Sequence, residues 1–416
     1  MKALWFSVVV MPRPKRRNPA SPEQRTISMN ARDVRASNLA SVFSAIATHP
    51  TALSRADIAD EVGLTRSTVS RLVDSLLSSG IIMELNAPNN GTPGRPATPL
   101  IIRPGAVFTI GLEANVSYLT ALAMDLTGEV LFQEARTGDF RHSEPKAVLT
   151  KLGAMGSAMV NQLRSSAISF GGTALALPGI VVGDTLYKAP NLGWEHVAPA
   201  PLLDPGGELG DIQVGNEATF ASWSAARLSP GVPNGPENFL YISGDVGVGG
   251  CIVAHSRPSI GRQGWGGEIG HVCVDPAGPT CSCGSTGCLE AFVGHRALAR
   301  TLHLPSSTTA AGMLSSQPLP ELIQTLSLAG RALGRAIADI ANLLVIHDVI
   351  FGGELATLLP ALEPSARIEL DQRVLGPRPV RFITSPDASG RWAASRGGAI
   401  SLLEPLLDNP DKHINV

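Results

Sequence analysis

The sequence predicts an α/β chain: a small winged helical unit, then two α/β lobes that face each other across a cleft. Three observations lead there. The first is a set of short apolar strands at 107–112, 119–125 and 130–134, followed by a helix near 146–164 and a strand at 173–177. The second is a similar set further on, with strands at 239–243 and 251–254, a helix at 322–344 and a strand at 349–351. The third is an asymmetry of charge. Residues 1–104 carry 13 Lys and Arg against 7 Asp and Glu, a net of +6, whereas the remainder carries 20 against 28, a net of −8. A basic front end on an acidic body points to a polyanionic partner for the front end alone.

At 416 residues the chain is long enough for two or three domains with sizeable cores. Met1 to Val10 is apolar, but the basic run follows it rather than preceding it, and it is too short to span a bilayer. Residues 1–30 therefore read as a disordered basic arm, with Met11 and Met29 as alternative starts. The sequence holds no membrane-spanning run, and the expectation is a cytoplasmic protein.

The winged unit is expected over 31–104. Leu39, Val42, Phe43 and Ile46 recur at helical spacing, and Thr48-His49-Pro50 ends that helix. Ser54-Arg55-Ala56-Asp57 reads as an N-cap and first turn, with Ile58, Ala59 and Val62 on the apolar side. Gly63-Leu64 makes a turn, and Thr65 caps the next helix. Val69, Leu72, Val73 and Leu76 face inward there and leave Arg66, Ser67, Thr68, Ser70 and Arg71 outside near its N-terminus. That is helix-turn-helix chemistry, in which Arg and Ser/Thr meet base edges and phosphates in the major groove. A strand at 81–85 and another at 99–102 enclose the turn-rich loop Asn89-Asn90-Gly91-Thr92-Pro93-Gly94-Arg95-Pro96, a wing whose Arg95 could enter a narrow minor groove. The alternative is a helical unit that binds protein.

The densest chemistry lies at 264–290. His271, Cys281, Cys283 and Cys288 form a His-x9-Cys-x-Cys-x4-Cys set, a sufficient donor set for structural zinc (Zn2+). Four of the five cysteines fall between Cys273 and Cys288, which favours a metal site in a reducing compartment over a disulfide framework. Cys251 and Cys273 are expected to be buried thiols. Glu268 and Glu290 flank the metal set, and the alternative for the cysteines is free thiols in a loop.

Gly266-Gly267-Glu268-Ile269-Gly270-His271 followed by Cys281-Ser282-Cys283-Gly284-Ser285-Thr286-Gly287-Cys288-Leu289-Glu290 resembles the motifs of the ROK family of repressors, open reading frames and sugar kinases. The resemblance implies an actin-like, ribonuclease-H-like two-lobed ATPase fold over roughly 105–405. The body would run from 105 to 416, with lobes near 105–230 and 237–400 and the last helix returning to the first lobe. It also implies that His271, Cys281, Cys283 and Cys288 are the zinc ligands and that Glu268 and Glu290 are sugar-binding carboxylates, with His271 near the sugar. Family repressors carry a winged helix-turn-helix in front, often with Gly-Arg-Pro in the wing. Leu177-Pro178-Gly179-Ile180 and the segment from Ala189 to Trp194 resemble substrate-lobe motifs. Gly244-Asp245-Val246-Gly247-Val248-Gly249-Gly250 stands at the second phosphate-loop position.

Two departures set the chain apart from a kinase. Family kinases open the first strand pair with Asp-x-Gly-Gly-Thr, and here the stretch is Glu113-Ala114-Asn115-Val116-Ser117. Both phosphate glycines are gone, one to a β-branched residue. The catalytic Asp of the family's Asn-Asp-Ala-Asn is replaced by Glu217, next to Asn216. One extra methylene displaces a carboxylate by about 1 Å, enough to cost ~10²-fold in rate. Asn216 and Glu217 can still meet sugar hydroxyls. The expectation is a non-enzymatic, sugar-responsive regulator that binds operator DNA as a homodimer or dimer of dimers. The rivals are an active sugar kinase with a DNA-binding appendage and a constitutive DNA-binding protein whose body is a dimerisation scaffold.

Overall fold

The computed structural model describes residues 31–86, 98–164, 169–316, 319–386 and 390–410. The arm at 1–30 and the wing tip with Arg95 lie outside the described residues. At the front, α1 (Ala31–Thr48) buries Leu39, Val42, Phe43 and Ile46. A two-residue strand, β1 (Leu53–Ser54), leads into α2 (Arg55–Val62). Ser54 and Asp57 close a reciprocal capping box on α2, and Gly63 at φ 68° ends it, a left-handed turn for which glycine has no steric cost. Thr65 caps α3 (Arg66–Ser78), which buries Val69, Leu72, Val73 and Leu76. β2 (Ile82–Glu84) and β3 (Pro99–Ile102) form the wing. β1 also pairs with β3, so the wing sheet has three strands in the order β1-β3-β2. No apolar alternation marks a two-residue strand, and sequence reading missed it.

The body holds two five-stranded sheets of one topology. The first comes from β4 (Val107–Ala114), β5 (Tyr118–Asp125), β6 (Val130–Thr137), α4 (Pro145–Arg164) and β7 (Ser169–Leu177). A small sheet of β8 (Ile180–Val182), β9 (Thr185–Ala189) and β10 (Trp194–Val197) and the short α5 (Ala200–Leu203) follow. Then come β11 (Ile212–Asn216), α6 (Glu217–Ala226) and the hairpin β12 (Arg227–Ser229) and β13 (Val232–Pro233). The order is β6-β5-β4-β7-β11, antiparallel between the first three and parallel between the last three.

The second sheet repeats this pattern. It uses β14 (Phe239–Gly244), β15 (Val248–Ala254) and β16 (Arg257–Ser259), then α7 (Glu290–Val293), α8 (His295–Thr301), α9 (Ala310–Leu314) and α10 (Leu319–Leu344). β17 (Asp348–Gly352), α11 (Gly353–Arg373) and β18 (Arg381–Thr384) complete it in the order β16-β15-β14-β17-β18. The buried residues of α10 and α11 pack beneath it in one apolar core.

The last helix, α12 (Ala393–Asp408), returns to the first sheet. Its backbone lies so close to β4 that a Cβ on Gly111 would stand 1.7 Å from the Ser395 carbonyl oxygen. Ala399, Ile400, Leu403, Leu406 and Leu407 of α12 belong to the same apolar core as Leu39, Val42, Phe43 and Val73 of the winged unit. The helix-turn-helix is thus fixed to the body through α1 and α12. Among the described residues no helix is long and apolar enough to cross a membrane.

Candidate functional site

The polar N-terminal face of α3 is where the sequence places it. Arg66, Ser67 and Arg71 are exposed, and Thr68 and Ser70 are half-buried. Thr65 Oγ1 holds Thr68 Oγ1 at 2.9 Å and Ser67 Oγ at 3.1 Å, so those hydroxyls are oriented by the cap. Arg55 bridges Asp74 at 2.8 Å and Glu84 at 3.1 Å, which ties α2 to α3 and to the wing. Neither Arg66 nor Arg71 meets a carboxylate among the described residues.

The metal-type set is compact. One donor atom each from His271, Cys281, Cys283 and Cys288 lies within 4.8 Å of all the others. Cys283 and Cys288 Sγ are 3.8 Å apart, and Cys281 Sγ is 3.7 Å from His271 Nδ1. Ligands about 2.0–2.3 Å from one tetrahedral ion stand roughly 3.5–3.8 Å from each other, so this spacing fits zinc. Burial and the two neighbouring thiols push the Cys288 thiol up to about 12 in the protein alone, and a bound cation would favour its thiolate. Cys251 is buried as expected, but Cys273 is exposed. Its segment is extended and paired with Cys288, and Val272 and Val274 on either side turn toward the core, so alternation carries Cys273 outward.

Beside this cluster the two lobes enclose a cavity of about 100 Å³. Asn216, Glu217, Glu268, His271 and Glu290 all line it, brought together from both halves of the body. Asn216 is the N-cap of α6: its Oδ1 accepts from the Ala218 and Thr219 N–H groups, and its Nδ2 donates to the Gly179 carbonyl at 2.9 Å. Glu290 is also engaged, accepting from Ser282 Oγ and from the Val248 N–H, each at 3.0 Å. Glu217 and Glu268 are different. The Glu217 Oε2 atom is buried without a hydrogen-bond partner among the described residues, and the half-buried Glu268 carboxylate is acted on by the charges of His271 and Glu290.

Burial dominates the electrostatics. It raises Glu217 well above the usual carboxylate range, and Glu113, Asp245 and Glu268 add to the rise. Glu268 is raised by burial, with His271 pulling the other way. Glu113, which stands where kinases have their first Asp, is pushed up to about 8 by burial and then by Asp245. Tyr118 Oη donates to Glu113 at 3.1 Å. The turn after β4 is filled by side chains: Asn115 Oδ1 accepts from both the Ser117 N–H and its hydroxyl, and Val116 is buried. Sequence reasoning missed Asn191, Asp245 and Ser282 as cavity-lining residues. Asn191 and Asp245 lie in segments already singled out, and Ser282 stands between two metal ligands, so all three carried a signal.

The ROK family model matches residues 109–404, and an IclR helix-turn-helix domain model matches residues 36–84. The xylose repressor of Bacillus subtilis is 24% identical over 368 residues, 86% of this chain and 92% of that protein. The DNA-binding transcriptional dual regulator NagC of Escherichia coli is 28% identical, over 86% of this chain and 92% of its own length. Among solved structures, a ROK family transcriptional regulator described as a homolog of the E. coli MLC protein superposes with a TM-score of 0.73 at 23% identity. It covers 92% of this chain and all of its own. A ROK family glucokinase from Streptomyces griseus, in complex with glucose and AMPPNP, superposes with a TM-score of 0.58 at 22% identity, covering 70% of this chain and 98% of that one.

Proposed function

The chain belongs to the ROK family, and from that premise we propose that it is a DNA-binding repressor released by a sugar or sugar derivative. The observation that carries the reading is the cleft. Two acidic side chains, Glu217 and Glu268, converge there, and Glu217 Oε2 is buried with no hydrogen-bond partner among the described residues. Buried polar atoms in native proteins are satisfied, and a polyhydroxylated ligand supplies what this one lacks. The relatives named as xylose repressor and N-acetylglucosamine repressor support the same class of effector.

The division of labour follows. Arg66, Ser67, Thr68, Ser70 and Arg71 read operator DNA in the major groove, and Arg95 joins them from the wing. A homodimer, or a dimer of dimers, would set two such helices on two half-sites. Asn216, Glu217, Glu268, His271 and Glu290 hold the sugar. His271, Cys281, Cys283 and Cys288 would hold zinc. A bound zinc ion would supply the charge that keeps three thiolates together, and the loop it pinned would carry Ser282 and lead into Glu290 at the start of α7. Sugar binding need bias the DNA-binding form by only about 1–3 kcal/mol. The shared core of α1 and α12 is the physical link through which it would do so. A soluble, cytoplasmic regulator is the setting this requires.

The test is release. The full chain should shift DNA from upstream of its own operon, and an inducing sugar should abolish the shift. Glu268→Gln should bind the DNA and zinc as the parent does. The sugar concentration needed for release should rise roughly ten- to a hundred-fold, the worth of a hydrogen bond to a charged group. A Glu268→Gln protein that responds to sugar like the parent removes Glu268 from the site.

The family also includes kinases, and the glucokinase likeness makes phosphorylation the reading to exclude. A general base must be deprotonated to act, and burial, with Glu113, Asp245 and Glu268 nearby, raises Glu217 and so disfavours that form. The Asn115 side chain occupies the Ser117 N–H that a phosphate would need. We expect ADP release with common hexoses to stay below about 1 s⁻¹, the low end of ordinary turnover. A rate at or above that would make the chain an enzyme.

A further inference from the structure

We infer that Trp265 is a sugar-contacting platform at the mouth of the cleft and a determinant of which sugar is bound, a proposal that rests on the cleft being a sugar site. The ring is 46% exposed. It lines a recess of about 10 Å³ with Val181 and Thr219, and that recess shares Gly179, Asn216, Gly249 and Glu268 with the main cavity. Trp265 and Glu268 thus line the same recess.

Two features show that the ring is held in place. The indole Nε1 donates to Gln263 Oε1 at 3.1 Å, which fixes its tilt. The loop is closed at its base by the Gly266 N–H donating to the Ile260 carbonyl at 2.8 Å. Gly264 at φ 85° and Gly267 at φ 107° flank the ring, and a Cβ on Gly267 would stand 2.5 Å from the Gly250 carbonyl oxygen. This turn is open to glycine only, and it lifts one large aromatic to the rim.

The remaining walls of the recess are glycine backbone and polar side chains. Trp265 and Val181 are its apolar surfaces. A pyranose is amphipathic: hydroxyls ring its edge, and carbon-bound hydrogens cover its faces. With Glu217 and Glu268 taking hydroxyls, the platform takes a carbon-bound face or a methyl-sized substituent, since the recess has room for one small group only. Sugars that turn an axial hydroxyl toward the ring are disfavoured, because that hydroxyl would be desolvated without a partner.

The experiment uses the full, metal-loaded chain with D-xylose, D-glucose and N-acetyl-D-glucosamine as probes. Calorimetry gives the affinity, and acrylamide quenching of tryptophan fluorescence reports access to the ring. The parent should show quenching that a bound sugar suppresses. Trp265→Ala should weaken that sugar on the order of ten- to fifty-fold and abolish the suppression. Trp265→Phe should recover most of the affinity, because it keeps an aromatic face. Zinc content and sugar-free DNA binding should stay as in the parent, which a merely structural loss would not leave unchanged. If Trp265→Ala binds sugar as tightly as the parent, or the bound sugar leaves quenching unaltered, the platform assignment falls alone. If the parent binds none of the three sugars, the reading of the cleft as a sugar site falls and this inference falls with it.

Discussion

Cys283→Ala should be purified without zinc, with a markedly lower melting temperature and little response to sugar. Its thiol is 3.8 Å from Cys288 Sγ and belongs to the one set of four donors within 4.8 Å of each other among the described residues. Structural zinc in small units contributes about 10–16 kcal/mol of binding free energy, and losing one of four ligands forfeits much of it. Damage should reach the cleft by a short route. Ser282 lies between two ligands and donates to Glu290, whose other oxygen holds the Val248 N–H. A loosened loop therefore moves one wall of the cavity. Cys273→Ala is the matched control, since Cys273 is exposed and outside the cluster, and it should keep the metal. Stoichiometric zinc in Cys283→Ala, or none in the freshly purified parent, would remove zinc from the account.

Glu404→Ala should be destabilised by about 3–5 kcal/mol, the cost of leaving a buried charge unpaired. Arg227 and Glu404 side chains are only 7% and 5% exposed, and they meet through two bonds, Nε to Oε1 at 2.7 Å and Nη2 to Oε2 at 3.2 Å. Glu404 also accepts from the Gly231 N–H at 2.6 Å. Gly231 sits where a side chain would strike Thr48 of α1 and Leu407 of α12, so the pair lies where the body meets the winged unit. Replacing both partners, as in Arg227→Met with Glu404→Leu, should cost less than the single change, because no charge is then stranded. Urea unfolding of Arg227→Met, Glu404→Leu and their double gives the cycle. A Glu404→Ala midpoint indistinguishable from the parent would show that Arg227 finds water or another partner.

The caps of the winged unit were legible because capping is local. Ser54 to Asp57, Gly63 and Thr65 each act within one helical turn of themselves, and the apolar residues of α1 and α3 follow the helical repeat. The metal set was legible for the same reason, since its four donors fall within 18 residues of chain. The resemblance to known motifs then brought Asn216, Glu217, Glu268, His271 and Glu290 together on paper, and the fold brings them to one cavity.

Packing decided the rest. The two lobes share one strand topology that their sequences do not announce, because many apolar strands fit the same sheet position. Cys273 was expected inside, but a strand's two faces differ only by register, and register is fixed by what lies across it. Which carboxylates keep a partner could not be read either. Glu290 finds Ser282 and Val248, while Glu217 Oε2 is buried with no partner among the described residues, and only the folded packing separates those cases. The ion pair of Arg227 with Glu404 joins residues 177 apart in the chain. Local pattern determines helices, caps and a compact donor set, because those energies depend on near neighbours. Burial, pairing and the shape of a cleft depend on surfaces that meet only after the chain has folded.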